Sequence, residues 1–285
     1  MSGIRPLTAR PLIPVVIAGA LLVSCADQRA SPDVGDSVPR LNIEVLSEQP
    51  FDETSFTQGL EVDEDGSLLV GTGLEGESRI YRVEEDGQVT DSHGLDPDHF
   101  GEGITRHGDS VWQLTWQSGV ALERDAVTLE EKNRVLYHGE GWGICSFDNT
   151  LVHSDGTDTL QFRDPETFEV TGTRSVTSAG TPITQINELE CVETPESGRE
   201  VWANIWYSDE IVRIDPETGE VTAIADASAL REMLPDGAES TADVLNGIAH
   251  IPGTDRYFLT GKLWPTLFEV RFTSENSQGN TQPPQ

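Results

Sequence analysis

The chain has 285 residues, and 50 acidic against 18 basic side chains give it a formal net charge of −32 at pH 7. So large a negative charge repels phosphate groups, which excludes nucleic acid as a partner. Some 230 of the residues lie between two segments of different composition, and this length is ample for one domain with a large core rather than for two.

Residues 1–24 have the pattern of an export signal. Two arginines precede an apolar run over residues 12–23, which is too short to span a bilayer and has the charge order of a secretory signal. The run ends at Cys25, in a context that resembles the bacterial lipobox, whose cysteine takes a diacylglycerol and becomes the mature N-terminus. We therefore expect export and lipid anchoring of Cys25 to the outer face of the bacterial cell membrane. An ordinary cleaved signal with an unrelated cysteine is the alternative.

Two polar segments bound the predicted domain. Residues 25–40 are rich in Pro, Ser and Asp, as in a flexible tether. Residues 273–285 are rich in Ser, Asn, Gln and Pro, as in a disordered tail. The folded domain is therefore expected to cover residues 41–272.

Within this domain one plan repeats five times. In each copy a turn of small residues opens a strand, a hairpin leads to a second apolar strand, and further strands follow. The spacing of the copies, about 40 to 60 residues, is typical of propeller blades. The copies open near Thr57, Gly101, Gly141, Asn187 and Asn246. Only residues 226–234 predict a helix, placed before the last copy.

The fifth copy has only three predicted strands, the last of them at residues 267–272, and no fourth strand follows in the sequence. Residues 41–46 alternate in polarity as a strand does and precede the first copy. We expect this N-terminal strand to pair into the last blade and close the ring. The sequence therefore predicts an all-β, five-bladed β-propeller.

Topology then predicts where the site lies. In a propeller, the starts of the first strands and the ends of the second strands meet at one rim. The residues at these positions are Gln58, Glu102, Trp116, Trp142, Asn187, Trp206 and Lys262. Aromatic walls with one carboxylate, one ammonium and two amides have the composition of a small-molecule site. Core packing of the tryptophans and bonding of the amides to loop backbone are the structural alternatives.

Glu102 is the candidate acid or base. It stands between two glycines and after Phe100, where a charged carboxylate without a partner would cost several kcal/mol. Lys262 is the second residue of interest because the chain has only one other lysine, Lys132.

Cys145 and Cys191 are the two cysteines of the predicted domain. The oxidising compartment reached by an exported protein allows them to form a disulfide, and the sequence leaves open whether they do so. Zinc binding is disfavoured because no other cysteine or suitably spaced histidine joins them.

Six short motifs follow one another in unbroken order along the domain. They are SFTQG at residues 55–59, FGEG at 100–103, GWG at 141–143, NELE at 187–190, WANIW at 202–206 and LTGKLWP at 259–265. In this order they resemble the glutaminyl cyclase family of plant and bacterial type. That family is a five-bladed propeller which converts N-terminal glutamine to pyroglutamate with release of ammonia, and the resemblance covers nearly the whole domain.

The resemblance implies roles for nine residues. Glu102 matches the active-site glutamate of the family, Asn187 its asparagine and Lys262 its lysine. The matching aromatic and amide lining is Phe56, Gln58, Phe100, Trp116, Trp142 and Trp206. The implied partner is a peptide or protein with N-terminal glutamine, and no cofactor is required for catalysis. A structural divalent cation in the channel is left open, and we expect a monomer.

One departure from the family pattern is the loop at residues 193–200, which is longer than expected. Because first and second strands join at the opposite rim, we expect this loop to protrude away from the site. The site is therefore expected to be unaffected.

Two other functions compete with the cyclase. A metal-dependent propeller hydrolase such as a lactonase would use Glu102, Asn187 and Asn246 as oxygen ligands of a divalent cation, although Lys262 at the same rim disfavours this. A non-catalytic lipoprotein would bind peptides or sugars on the aromatic rim. Release of ammonia from a Gln-initiated peptide distinguishes the enzyme from the binding module.

Overall fold

Strands account for nearly all of the regular structure in the computed structural model, which describes residues 38–195 and 197–274. The first thirteen are β1 (Arg40–Pro50), β2 (Thr57–Val62), β3 (Leu68–Thr72), β4 (Arg79–Val83), β5 (Val89–Gly94), β6 (Gly101–His107), β7 (Ser110–Thr115), β8 (Val120–Asp125), β9 (Glu131–Leu136), β10 (Ile144–Phe147), β11 (Thr150–His153), β12 (Thr159–Arg163) and β13 (Val170–Ser175). Strands β2 to β5, β6 to β9 and β10 to β13 form three four-stranded antiparallel sheets, each in chain order. Each of these sheets is a local unit in which consecutive strands are paired.

The remaining strands continue the same architecture. They are β14 (Thr177–Ser178), β15 (Thr181–Pro182), β16 (Ile186–Thr194), β17 (Gly198–Ile205), β18 (Glu210–Ile214), β19 (Val221–Asp226), β20 (Leu245–His250), β21 (Arg256–Gly261) and β22 (Thr266–Ser274). The short strands β14 and β15 form a separate two-stranded sheet, whereas the others join β1 in an eight-stranded sheet of order β16-β17-β18-β19-β1-β22-β21-β20. The described residues therefore form an all-β, propeller-like fold.

Strand β1 connects the two ends of the described chain. It runs antiparallel to β22, from Leu41 opposite Ser274 to Pro50 opposite Thr266. This is the pairing predicted for residues 41–46, although the strand is longer than predicted. It starts at Arg40, inside the expected tether, and β22 continues to Ser274, inside the expected tail.

The helix expected at residues 226–234 is α1 (Ser228–Glu232), which is shorter at both ends. The Ser228 backbone N–H donates to the Asp226 carboxylate at 2.9 Å, which is a turn contact before the helix, because the N-cap residue Ala227 has no side-chain capping bond. Pro235 disfavours helical geometry at the residue before it, which ends the helix early. No helix within the described ranges is long and apolar enough to cross a membrane.

The core lies between neighbouring sheets, where two buried tryptophans are found. Trp112 is 1% exposed and packs on Phe168, with ring centroids 4.7 Å apart. Trp202 is 3% exposed and stacks on Phe272 at 4.4 Å. Both tryptophans therefore belong to the core and not to the rim.

A disulfide joins Cys145 of β10 to Cys191 of β16, with Cα atoms 5.3 Å apart. It therefore links two neighbouring sheets through cysteines that are 46 residues apart in sequence. Of the two states that the sequence left open, the structure has the paired one.

The extra length at residues 193–200 lengthens a hairpin. Strand β16 runs to Thr194 and β17 starts at Gly198, so most of the expected loop is paired strand. The hairpin is at the opposite end of β16 from Asn187. The expected export signal, Cys25, most of the tether and residues 275–285 lie outside the described residues.

Candidate active site

All nine residues that the resemblance singled out line one cavity of about 250 Å³. They are Phe56, Gln58, Phe100, Glu102, Trp116, Trp142, Asn187, Trp206 and Lys262. Their positions are scattered over more than two hundred residues of sequence, and the propeller-like topology brings them together. The predicted ring of strand starts and strand ends is therefore present.

The second strands end one residue earlier than the sequence predicts. Trp116, Trp206 and Lys262 were expected to be the last residues of strands, but β7, β17 and β21 end at the residue before each of them. They line the cavity from the first position beyond the strand, where the alternation of the pleat no longer fixes the side-chain direction.

Gly101 and Gly103, on either side of Glu102, allow strand β6 to pack closely against neighbouring backbones. A Cβ atom at Gly101 would be 2.5 Å from the carbonyl oxygen of Thr72, and one at Gly103 would be 2.8 Å from that of Trp142. The Gly103 N–H also donates to the Trp142 carbonyl at 2.8 Å. The neighbouring backbones thus leave no room for side chains on either side of Glu102, which explains the Gly-Glu-Gly sequence.

The Glu102 side chain is only 4% exposed and accepts a hydrogen bond from Gln58 Nε2 at 3.0 Å. Burial raises the pKa of Glu102 well above its usual value; the positive charge of Lys262 lowers it, and the negative charge of Glu140 raises it further. Burial wins because the carboxylate loses its hydration and gains only one nearby cation. Glu102 is therefore suited to both accepting and donating a proton.

Lys262 is 5% exposed, and its Nζ lies 4.8 Å from the centroid of the Phe56 ring. Burial lowers the pKa of Lys262, whereas the charges of Glu102 and Asp243 raise it. Burial therefore acts against both charges of the Glu102–Lys262 pair, whereas the attraction between the two charges acts in their favour.

Asn187 is held through its backbone. Its carbonyl accepts from Ser154 Oγ at 2.6 Å, and the same hydroxyl accepts from the Gly143 N–H at 2.8 Å. Among the described residues, the Asn187 side-chain amide forms no hydrogen bond, so its N–H groups are free to bind a ligand in the cavity.

Aromatic rings form most of the cavity wall. Phe56 meets Phe100 edge to face at 6.0 Å, and Phe100 meets Trp116 at 5.7 Å. On the other side Trp142 meets Trp206 edge to face at 5.2 Å. Edge-to-face contact is a favoured arrangement of aromatic pairs, and these rings give the buried polar groups a largely apolar surrounding.

Three residues at the site were not predicted. Tyr207, which is 75% exposed, and Asp243 also line the cavity. The third, Glu140, accepts from the indoles of Trp116 and Trp142. The position of Glu140 just before the Gly-Trp-Gly motif is a signal that sequence analysis could have used, whereas nothing in the sequence distinguishes Asp243 from other surface acids.

Asn246, the third ligand of the metal-hydrolase alternative, supports Gln58. Its Nδ2 donates to the Thr57 carbonyl at 3.0 Å and to Gln58 Oε1 at 3.2 Å. In residues 38–195 and 197–274, no group of three or more His, Cys, Asp or Glu side chains is arranged to hold a metal ion.

Three more buried or half-buried acids come from first strands, namely Glu61 of β2 and Glu188 and Glu190 of β16. Each accepts from backbone N–H groups of neighbouring strands: Glu61 from Arg106, Glu188 from Leu60 and Ile248, and Glu190 from His250. Burial raises the pKa of Glu61 to about 7 and the pKa values of Glu188 and Glu190 well above their usual range.

Because the pKa values of these acids are raised by folding, we expect the free energy of unfolding to fall as the pH rises. The unfolded chain releases their protons near pH 4.5, whereas the folded protein keeps that of Glu61 until about pH 7. The contribution of Glu61 is therefore complete below pH 4.5 and is lost as the pH rises to about 7, by roughly 3 kcal/mol. Urea unfolding of Glu61→Gln across this range should show a flatter pH dependence than wild type. The exposed Glu53→Gln is the control, and an unchanged slope in Glu61→Gln would contradict the assignment.

Comparisons with a family model, a curated protein and a solved structure all match this chain to glutaminyl cyclases. A family model described as glutamine cyclotransferase matches residues 16–272. The chain is 36% identical over 242 residues to a glutaminyl-peptide cyclotransferase of Arabidopsis thaliana, covering 84% of this chain and 74% of that protein. The crystal structure of Myxococcus xanthus glutaminyl cyclase is similar with a TM-score of 0.74 and 35% identity, covering 84% of this chain and 99% of the other.

Proposed function

This chain belongs to the glutamine cyclotransferase family, whose reaction cyclises N-terminal glutamine to pyroglutamate with release of ammonia, and we propose that Glu102 carries the protons of this reaction. Its substrate is a peptide or protein with N-terminal glutamine. The observation that carries the proposal is the buried Glu102 carboxyl, with its raised pKa, in one cavity with Lys262 and Asn187.

The reaction takes place within one residue of the substrate. The neutral α-amine attacks the γ-carboxamide carbon, a new C–N bond forms, and the C–N bond to the departing ammonia breaks. Glu102 accepts a proton from the attacking nitrogen and delivers one to the leaving nitrogen, so it ends as it began. A pKa raised by burial makes it a better base and keeps the proton available for delivery.

Asn187 and Lys262 act on the carboxamide oxygen. Negative charge develops on this oxygen when the amine attacks, and donors already in place stabilise it without reorganisation. The free amide of Asn187 and the Lys262 ammonium are the cavity groups suited to this role. The Gln58 side chain, held by Asn246, keeps the Glu102 carboxyl in position.

The tryptophans fold the substrate and keep water out. A flexible glutamine side chain must bend back on its own amine, so much of the acceleration comes from positioning. Exclusion of water by Trp116, Trp142 and Trp206 matters because attack by water would give glutamate instead of pyroglutamate.

Mass spectrometry of a Gln-initiated peptide tests the function. Incubation with the protein should remove about 17 Da, the mass of ammonia, whereas the N-acetylated peptide should not react because its nitrogen is no longer a free amine. Absence of the mass loss would reject the function. A parallel reaction with chelator tests the metal-hydrolase alternative, which requires loss of activity on metal removal.

We further propose that the fold has five blades. The eight-stranded sheet is joined at β1 and β19 by two parallel residue pairs only, and on either side of this junction lie four antiparallel strands. Counting each half with the three four-stranded sheets gives five units.

We also propose anchoring through Cys25 at the outer face of the bacterial membrane, supported by the apolar run and cysteine of the sequence, and a monomeric state. Partitioning of wild type, but not of Cys25→Ala, into a detergent phase would test the anchor.

A further inference from the structure

A single carboxylate connects two of the cavity tryptophans. Glu140 Oε2 accepts from Trp116 Nε1 at 2.9 Å and from Trp142 Nε1 at 3.0 Å, while Oε1 accepts from Gln117 Nε2 at 2.9 Å. Trp116 follows β7 in one sheet and Trp142 precedes β10 in the next. Glu140 therefore joins aromatic residues of two neighbouring sheets.

Glu140 completes a continuous arc of side chains around the cavity. On one side of it Trp116 contacts Phe100, which contacts Phe56. On the other side Trp142 contacts Trp206. Because Trp116 is 38% exposed, packing alone does not fix its ring, and the hydrogen bond to Glu140 supplies the missing constraint.

The Trp142 ring is held by a second contact, against one of its faces. A Cβ atom at Gly156 would lie 2.6 Å from this ring, so the glycine lets the loop after β11 pack closely on the indole. The ring thus has backbone against one face and the Glu140 carboxylate at its N–H. Its angle in the cavity wall is set by these two contacts.

We propose that Glu140 is a positioning residue of the cyclisation reaction, which holds Trp116 and Trp142 at the angles at which they enclose the substrate. This inference rests on the proposed function. Charge-assisted hydrogen bonds are stronger than neutral ones, so a carboxylate holds the two indoles better than an amide would.

The chemistry of Glu140 fits positioning better than proton transfer. Burial raises its pKa, but the bonds from Trp142, Gln117 and Trp116 outweigh burial and lower it. Glu140 is therefore ionised at neutral pH, with both oxygens already bonded. Its charge also raises the pKa of Glu102, against the lowering effect of Lys262.

The kinetic test is Glu140→Gln. In this variant an amide N–H₂ group replaces one carboxylate oxygen, so that a donor faces an N–H group that the oxygen had accepted. KM for a Gln-initiated peptide should rise about tenfold, the value of a lost hydrogen bond to a charged group, while kcat falls less. The fraction of glutamate among the products should increase because the wall closes less well. Glu131→Gln is the matched control, since that carboxylate binds Arg134 at 2.7 Å on β9, the outer strand of the sheet that Trp116 follows, and it should behave as wild type.

A second measurement tests the contact itself without using activity. The chain has six tryptophans, so the ¹⁵N-labelled protein should give one indole N–H signal for each. In Glu140→Gln the largest shifts should be those of Trp116 and Trp142, assigned with single Trp→Phe variants. Circular dichroism establishes that the variant is folded.

Each outcome has a defined meaning. Raised KM with shifted Trp116 and Trp142 signals supports the inference. Unchanged indole signals, unchanged kinetics, or a fall in kcat with KM unaltered would each overturn it. If wild type itself releases no ammonia, the proposed function fails, and the indole signals still decide whether Glu140 holds the tryptophans.

Discussion

Glu102→Gln is expected to lower kcat for ammonia release by about 10²- to 10⁴-fold, the usual contribution of a general acid–base group. The amide has nearly the shape of the carboxyl and can still accept from Gln58 Nε2, the present partner at 3.0 Å. It cannot take a proton from the attacking amine. Because burial disfavours the charged form of Glu102, a neutral amide should leave the melting temperature nearly unchanged.

Ammonia release, measured with a coupled assay on a Gln-initiated peptide, checks this expectation. Glu190→Gln is the matched control, because Glu190 is also buried with a raised pKa but has no place in the proposed mechanism. It should retain activity. A Glu102→Gln variant that works at nearly the wild-type rate would show that another group moves the protons.

Lys262→Met is expected to lower kcat by about 10²- to 10³-fold, the effect of removing one donor to a developing oxyanion. The pH profile should move as well. The Lys262 charge lowers the pKa of Glu102, so its removal raises that pKa further. The limb of the profile on which Glu102 becomes ionised should therefore shift to higher pH.

The comparison variant is Lys262→Arg, which keeps the positive charge. In this variant the limb of the pH profile on which Glu102 becomes ionised should stay near its wild-type position. The larger guanidinium should nevertheless slow the reaction, because Lys262 is only 5% exposed. Steady-state rates across the pH range distinguish the two effects. If the limb of Lys262→Met does not move, Lys262 and Glu102 do not interact as the structure indicates.

The sequence was sufficient to place the main catalytic candidates because propeller topology converts chain position into rim position. Glu102 and Asn187 are second residues of β6 and β16, and Lys262 directly follows β21. Once the strands were identified, these three had to meet, whatever their side-chain conformations.

Glu140 and Asp243 could not be found in this way. Both lie in connections between strands, where no period relates sequence position to direction. The number of indole N–H groups that bind Glu140 depends on distances between neighbouring sheets to within an ångström. Hydropathy patterns carry no information about such distances. The disulfide between Cys145 and Cys191 was open for the same reason, since pairing needs a Cα separation that only the fold provides.

The position of β1 has a consequence for biosynthesis. In the described chain this first strand pairs with β22, the last one, and with the end of β19. A ribosome makes β1 first, so the strand must wait without a partner until almost the whole domain has been synthesised. Its free edges are open to wrong pairing during that time. Polar and charged side chains along β1, including Arg40, Glu44 and Glu48, oppose such contacts until β22 arrives.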